Sequence, residues 1–219
     1  MKYFIFSIDD GTIYDKQTIE MLNKYHLKGT FNLNSGLDDF VWYLNELPIR
    51  RLSLEDNIHL YDGHEVASHS LTHPHLTECS GEHIVYEVGQ DIFKLENIFN
   101  RSIRTFAFPF EDSDERCINV IKHLHNIKVI RLSQIDDSFK MINDLHHVKI
   151  TSLDVNDALT KLERFIHDDE AELFVFVSHS YDFFVNNTFD KFEELCQKVS
   201  KQKDIKVIAM GELADIFTK

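Results

Sequence analysis

Residues 64–99 read HEVASHSLTHPHLTECSGEHIVYEVGQDIFKLENIF. A short apolar run, His64–Ser68, gives way to a polar stretch. A long segment then places Val85, Val88, Ile92, Leu95 and Phe99 at spacings of three and four. That is a strand, a loop and an amphipathic helix in succession. The same unit recurs outward in both directions. Apolar runs at Tyr3–Ile8, Gly29–Leu33, Thr105–Phe108, Lys128–Leu132, His147–Ile150, Leu173–Val177 and Ile205–Ala209 read as strands. Helical patterns at Thr18–Tyr25, Cys117–Leu124, Asp154–Ile166 and Thr188–Val199 lie between them, and Asp112 with Glu115 has the spacing of a capping box. Strands that alternate with helices predict a mainly parallel sheet, because parallel strands need crossover connections. Seven or eight such units close into a barrel. At 219 residues the chain is short for the common eight-fold barrel of about 250. The expectation is an α/β fold, a distorted (β/α) barrel with about seven parallel strands, in one domain over residues 1–219.

Composition narrows the function. The 37 Asp and Glu against 23 Lys and Arg leave a net charge of −14, a poor surface for nucleic acid or an anionic membrane. Cys79, Cys117 and Cys196 form no CxxC pair, so neither a disulfide framework nor a cysteine zinc site is expected. The apolar run after Lys2 is too short for a secretion signal, and no stretch approaches the roughly 20 apolar residues of a membrane span. A cytoplasmic protein is the expectation.

Chemistry gathers where predicted strands end, which is where barrel active sites are built. Asp9-Asp10-Gly11 follows the first strand. One carboxylate suits a metal and the other a base, although Asp-Asp-Gly is also ordinary turn chemistry. His69 and His73 are four apart, share a face if the segment makes a helical turn, and suit Zn²⁺ or a similar ion. His26, His123, His125, His146 and His147 read instead as surface or core residues. In Phe106-Ala107-Phe108-Pro109-Phe110 the aromatics wall a pocket or pack the core, and the Phe110 N–H is a candidate oxyanion donor. Arg131 is placed to orient a carboxylate or bind substrate. His179 is placed to protonate a leaving group or to serve as a structural histidine. Trp42, Tyr43 and Tyr181 read by default as packing residues.

In this order, the segments resemble the polysaccharide deacetylases, also called the NodB-homology domain or family-four carbohydrate esterases. Ser7-Ile-Asp-Asp-Gly11 is similar to the first motif of that family, usually Thr-Phe-Asp-Asp-Gly. His69-Ser-Leu-Thr-His73-Pro74 matches the second, Gly63–Ser68 resembles its approach, and Lys28–Gly36 resembles the second strand. The resemblance implies a hydrolase that removes an acetyl group from an N-acetylated sugar or glycan. It implies Asp10, His69 and His73 as ligands of a divalent metal, commonly zinc with cobalt or nickel as substitutes. It further implies Asp9 as general base and His179 as general acid. Some positions depart from the family pattern. The third motif often reads Arg-Pro-Pro-Tyr, whereas this chain has Ala107-Phe-Pro-Phe110, and Arg131 is the candidate replacement for the missing arginine. Glu111 stands where Gly is frequent. Asp182 stands where a subgroup has Glu, which bears on substrate contacts. Two other readings remain: a metal-dependent hydrolase of a non-sugar C–N bond, and a non-catalytic carbohydrate- or metal-binding protein.

Overall fold

The computed structural model describes residues 1–110 and 112–217. Among the described residues, ten strands, β1 Lys2–Asp9, β2 Thr30–Leu33, β3 Val41–Leu44, β4 Leu47–Arg50, β5 Glu65–Ser68, β6 Thr105–Ala107, β7 Val129–Ile135, β8 Val148–Ile150, β9 Leu173–His179 and β10 Ile205–Val207, are interspersed with seven α-helices. These are α1 Asp15–Lys24, α2 Gly81–Phe99, α3 Glu115–Ile121, α4 Val155–His167, α5 Ser180–Val185, α6 Phe189–Ser200 and α7 Leu213–Phe217. Eight strands form one parallel sheet. β1 is its spine. One edge pairs with β9 from Tyr3 to Asp9; the other carries β10 beside Lys2–Phe4 and β2 beside Ser7–Asp9. The ring continues through β5, β6, β7 and β8. It returns to β9 through Thr151 N–H to Val175 O at 2.7 Å and Val177 N–H to Ser152 O at 2.9 Å. Seven strands thus go round, as the sequence predicts, and β10 fills the edge of β1 that β2 leaves open. The ring is distorted where strands are short. β5 and β6 share a single register pair, Ser68 with Phe106, and β7 slips register against β8 between Arg131 and Ile135.

Side-chain parity along β1 builds two cores. Phe4, Phe6 and Ile8 point outward into a cluster with Phe174, Phe176, Phe165 and Phe192 under α4 and α6. Ile5 points into the barrel with Val129, Val148, Val175 and Val177, closed by Met210 and Leu213. Each fully buried Phe contributes about 1.5–3 kcal/mol. The same parity puts Ser7 and Asp9 inside after Ile5, and Arg131 inside after Val129. Functional groups therefore cap an apolar interior at the C-terminal ends of the strands.

Local expectations hold for most elements, with three corrections. The N-cap of α3 is Asp114, which accepts from Cys117 N–H at 2.7 Å, while Asp112 accepts from Thr77 Oγ1 at 2.5 Å. The buried stripe of α2 runs through Ile84, Glu87, Val88, Asp91, Ile92 and Leu95, and Val85 is exposed. The β3–β4 hairpin has no counterpart among the predicted strands. Its two turn residues, Asn45 and Glu46, take φ of 49° and 66°, the mirror-image turn that suits strand twist. It is seated on the first motif by Ile13 N–H to Arg50 O at 3.0 Å and Leu52 N–H to Gly11 O at 2.8 Å. Among the described residues no helix is long and apolar enough to cross a membrane.

His64 opens β5 from a buried position, accepting from Gly29 N–H at 3.1 Å. Burial, helped by Arg101, pushes its pKa down to about 4. The unfolded chain takes up this proton near the ordinary pKa of about 6.5. The stabilisation is therefore complete above that pH and is lost as pH falls toward 4, amounting to about 3 kcal/mol. Urea midpoints between pH 7 and pH 4 are expected to fall less steeply in His64→Gln than in the wild type. Parallel curves would remove His64 as the source.

Candidate active site

Asp9 ends β1 and is buried, with both oxygens engaged. Oδ1 accepts from Asn32 Nδ2 at 2.6 Å and Oδ2 from Arg131 Nη2 at 2.6 Å. Arg131 is 1% exposed, and Asp9 is its ion-pair partner. Asp10 follows at φ 84°, a left-handed conformation that turns the second carboxylate to the same side as the first. Arg51, just beyond β4, grips Asp10 twice: Nη2 donates to Oδ1 at 2.9 Å and Nη1 donates to the Asp10 carbonyl. Burial opposes the Asp10 charge, but the Arg51 guanidinium and the charged His179 ring hold its carboxyl below the usual range.

The histidine pair does not sit on a helical turn. Residues 69–74 form a bent loop in which Ser70 and His73 have φ of 66° and 57°. Those two left-handed residues bring the rings to 4.9 Å. His69 Nδ1 donates to Ala107 O at 2.8 Å, which leaves the Nε2 lone pair facing Asp10. His69 Nε2 and His73 Nε2 lie 4.0 and 3.5 Å from Asp10 Oδ1. Burial lowers both imidazole pKa values, so the rings are neutral as ligands must be. Asp10, His69 and His73 offer three donor atoms all within 4.8 Å of one another. Two neutral imidazoles and a carboxylate are a donor set for a zinc-like divalent ion, and these residues fit one.

Three side chains brace that loop. Asn34 accepts from Arg51 Nη1 at 2.6 Å and donates to the carbonyls of His69 and Ser70 at 2.5 and 2.7 Å. Asp91 of α2 accepts from Ser35, Ser68 and the His69 N–H. Glu87, one turn earlier, accepts from the N–H and hydroxyl of Thr72 at 2.9 Å each. Sequence reading missed Asn32, Asn34, Arg51, Glu87 and Asp91. Glu87 and Asp91 did carry a signal, as carboxylates on an otherwise apolar stripe.

His179 ends β9 opposite the pair. Its Nδ1 meets Asp182 Oδ2 at 2.8 Å, and its Nε2 lies 3.8 Å from Asp10 Oδ2. Burial works against the charged ring, yet Asp182, Asp10 and Asp9 outweigh it and push the pKa up to about 9. Asp182 thus holds His179. Phe110, at φ 58°, stacks on His75 at 3.7 Å and meets the His73 ring edge-on at 4.5 Å. Its N–H has no protein acceptor among the described residues. Glu111 lies outside the described residues. Asp9, Asp10, His69, His73, Phe110, Arg131 and His179 all line one cavity of about 350 Å³. A larger opening of about 440 Å³ beside α1, lined by Tyr14, Lys16, Glu20, Lys24 and Glu193 among others, has no such cluster. Trp42 and Tyr181 line an adjoining cleft rather than the core, and Tyr43 is 72% exposed.

Gly36 is tied to this loop: its N–H donates to Leu71 O at 2.9 Å, and a Cβ there would lie 2.5 Å from that oxygen. Gly36→Ala must push residues 69–73 away. It is expected to cost about 1–3 kcal/mol and to weaken zinc binding, read by urea denaturation and calorimetric titration. Unchanged values for both would show that the loop is not held there.

A parallel barrel thus carries an Asp-His-His donor set at its C-terminal mouth. The polysaccharide deacetylase family profile matches residues 1–127, and the chain belongs to that family. No curated protein matches the chain by sequence. Solved structures do. A family 4 acetyl xylan esterase from Clostridium thermocellum, in complex with cobalt, superposes with TM-score 0.67 and 15% identity over 98% of this chain and 91% of its own. The Xyl-CE4 domain of a multidomain xylanase from the hindgut metagenome of Trinervitermes trinervoides gives 0.65 and 18% over 99% and 91%. A CE4 family pseudoenzyme from Bacillus anthracis gives 0.65 and 17% over 98% and 66%. At such identities the likeness is one of fold.

Proposed function

We propose that the protein is a divalent-metal-dependent deacetylase acting on an N-acetylated sugar. The observation that carries this reading is the convergence of Asp9, the Asp10-His69-His73 donors and His179 on one cavity. A zinc-like ion held there by Asp10, His69 and His73 would polarise the acetyl carbonyl and acidify a water. Asp9 serves as general base. Asn32 and Arg131 fix both of its oxygens, each of which keeps a lone pair free to accept a proton. Arg131 is the positioning residue of that base, in place of the arginine that the third motif lacks. His179, aimed by Asp182, carries a proton at Nε2 for the departing amine. The Phe110 N–H, which has no protein acceptor among the described residues, donates to a developing oxyanion. Acetate and a free amino sugar result.

A panel of N-acetylated sugars, acetylated xylan and cyclic amides tests the reading, with acetate release and ring opening scored separately. Acetate from N-acetylated sugars is expected. Ring opening of cyclic amides would favour hydrolysis of a non-sugar C–N bond. Binding without turnover in zinc-loaded protein would favour a non-catalytic role. His179→Ala is expected to slow acetate release about 10²–10⁴-fold with little change in zinc affinity; an unchanged rate would remove it as the acid.

A further inference from the structure

We propose that His75 and Ser133 are positioning residues for the oxyanion donor. One comes from the loop after the metal ligands and the other from β7, and together they clamp Phe110 and hold its N–H at the reaction cavity. The inference deepens the deacetylase reading and rests on it.

Phe110 needs a clamp. Its φ of 58° is a left-handed conformation, costly for a bulky side chain and kept only where the surroundings fix it. Burial does not fix it, because Phe110 is 43% exposed. Two contacts do. The His75 ring lies flat on the Phe110 ring, with centres 3.7 Å apart and 5° between the planes. The Ser133 hydroxyl donates to the Phe110 carbonyl at 2.6 Å. Side chain and carbonyl branch from one Cα, so pinning both stops rotation about the N–Cα bond and sets the N–H direction with them.

Both halves of the clamp are themselves held. His75 Nδ1 meets Asp112 Oδ2 at 3.1 Å, and Asp112 also accepts from Thr77 Oγ1 at 2.5 Å. Arg116 of α3 donates to the carbonyls of Thr77 and Cys79 at 2.9 and 2.8 Å, which ties the segment after His75 to α3. On the other side, Arg131 Nη1 donates to Ser133 Oγ at 3.4 Å while its Nη2 holds Asp9 at 2.6 Å. One buried arginine thus joins the base to the oxyanion donor, and His75 joins that donor to the loop of His73. A preorganised donor acts on charge that develops only in the transition state. Loosening it therefore slows the chemical step without weakening substrate binding.

Zinc-loaded wild type, His75→Ala, His75→Phe, Ser133→Ala and Ser133→Thr are assayed for acetate release from β-1,4-linked tetra-N-acetylglucosamine, with zinc affinity measured by calorimetry. Inhibition is measured on the same proteins with a glucosamine phosphonamidate, whose methylphosphonyl group mimics the tetrahedral oxyanion. His75→Ala and Ser133→Ala are each expected to lower kcat about tenfold, short of the roughly 10²–10³-fold for outright loss of an oxyanion donor. KM and zinc affinity should stay unchanged, and the phosphonamidate should bind more weakly by the same factor as kcat falls. His75→Phe keeps the stack and Ser133→Thr keeps the hydroxyl, so each should recover most of the rate. An unchanged kcat in both alanine variants would overturn the clamp and leave the deacetylase reading standing. A loss that appears instead in KM or zinc affinity, or that neither conservative variant rescues, would reduce both residues to support of their loops and overturn the clamp as well. Neither acetate release nor phosphonamidate binding by zinc-loaded wild type would overturn the deacetylase reading itself, and the role of the clamp with it.

Discussion

Asp9→Asn is expected to lower kcat for acetate release by about 10²–10⁴-fold, the range for loss of a positioned general base. It is also expected to cost stability, because Arg131 would then be a buried cation without its carboxylate. Removing one partner of a buried pair costs about 3–5 kcal/mol. The two effects separate in a double-mutant cycle. Arg131→Met alone strands Asp9; Asp9→Asn with Arg131→Met strands neither and should recover much of the stability but none of the rate. Arg131→Met is expected to slow the reaction as well, with a shifted pH profile, because Asp9 loses the group that holds Oδ2 at 2.6 Å. Additive stability losses, or an unchanged rate in Asp9→Asn, would dissolve the link between this pair and catalysis.

The second large effect lies at the donor set. Wild-type protein is expected to bind about one divalent ion per chain, the stoichiometry of a single three-donor site. At zinc a hundredfold above Kd that binding adds about 2.7 kcal/mol of stability. Asp10→Ala, and His69→Ala with His73→Ala, should abolish both the bound ion and the zinc-dependent rise in Tm. The histidine variant leaves the Arg51–Asp10 pair intact, so it tests ligation without stranding that arginine. Retention of one ion per chain in the histidine variant would place the metal elsewhere.

Much of this was local in sequence. The alternation of apolar runs with helical periodicity carries the barrel, and residue parity along Ile5, Ser7 and Asp9 points the carboxylate inward. Asp9-Asp10, His69 with His73, and His179 each follow a strand within a few residues, so strand ends located them. What sequence did not reveal is long-range. Arg51 sits beside Arg50 and resembles a surface charge, yet it is buried against Asp10, 41 residues away. Asn34 links the two ligand loops, reaching His69 35 residues away and Arg51 17 residues away. The helical-turn expectation for His69–His73 fails because Ser70 and His73 are left-handed. Asn34, Glu87 and Asp91 hold the backbone in that form through bonds that four-residue spacing does not encode. The hairpin was hidden by Pro48 and the polar Asn45-Glu46 turn within a short apolar run.

The most direct measurement is acetate release from β-1,4-linked tetra-N-acetylglucosamine by one preparation as purified, after chelator stripping, and after reloading with zinc, with bound metal determined at each stage. The expected result is release that disappears with the metal and returns with it. Undiminished release from metal-free protein, or none from protein carrying one ion per chain, would contradict metal-dependent deacetylation at Asp10, His69 and His73.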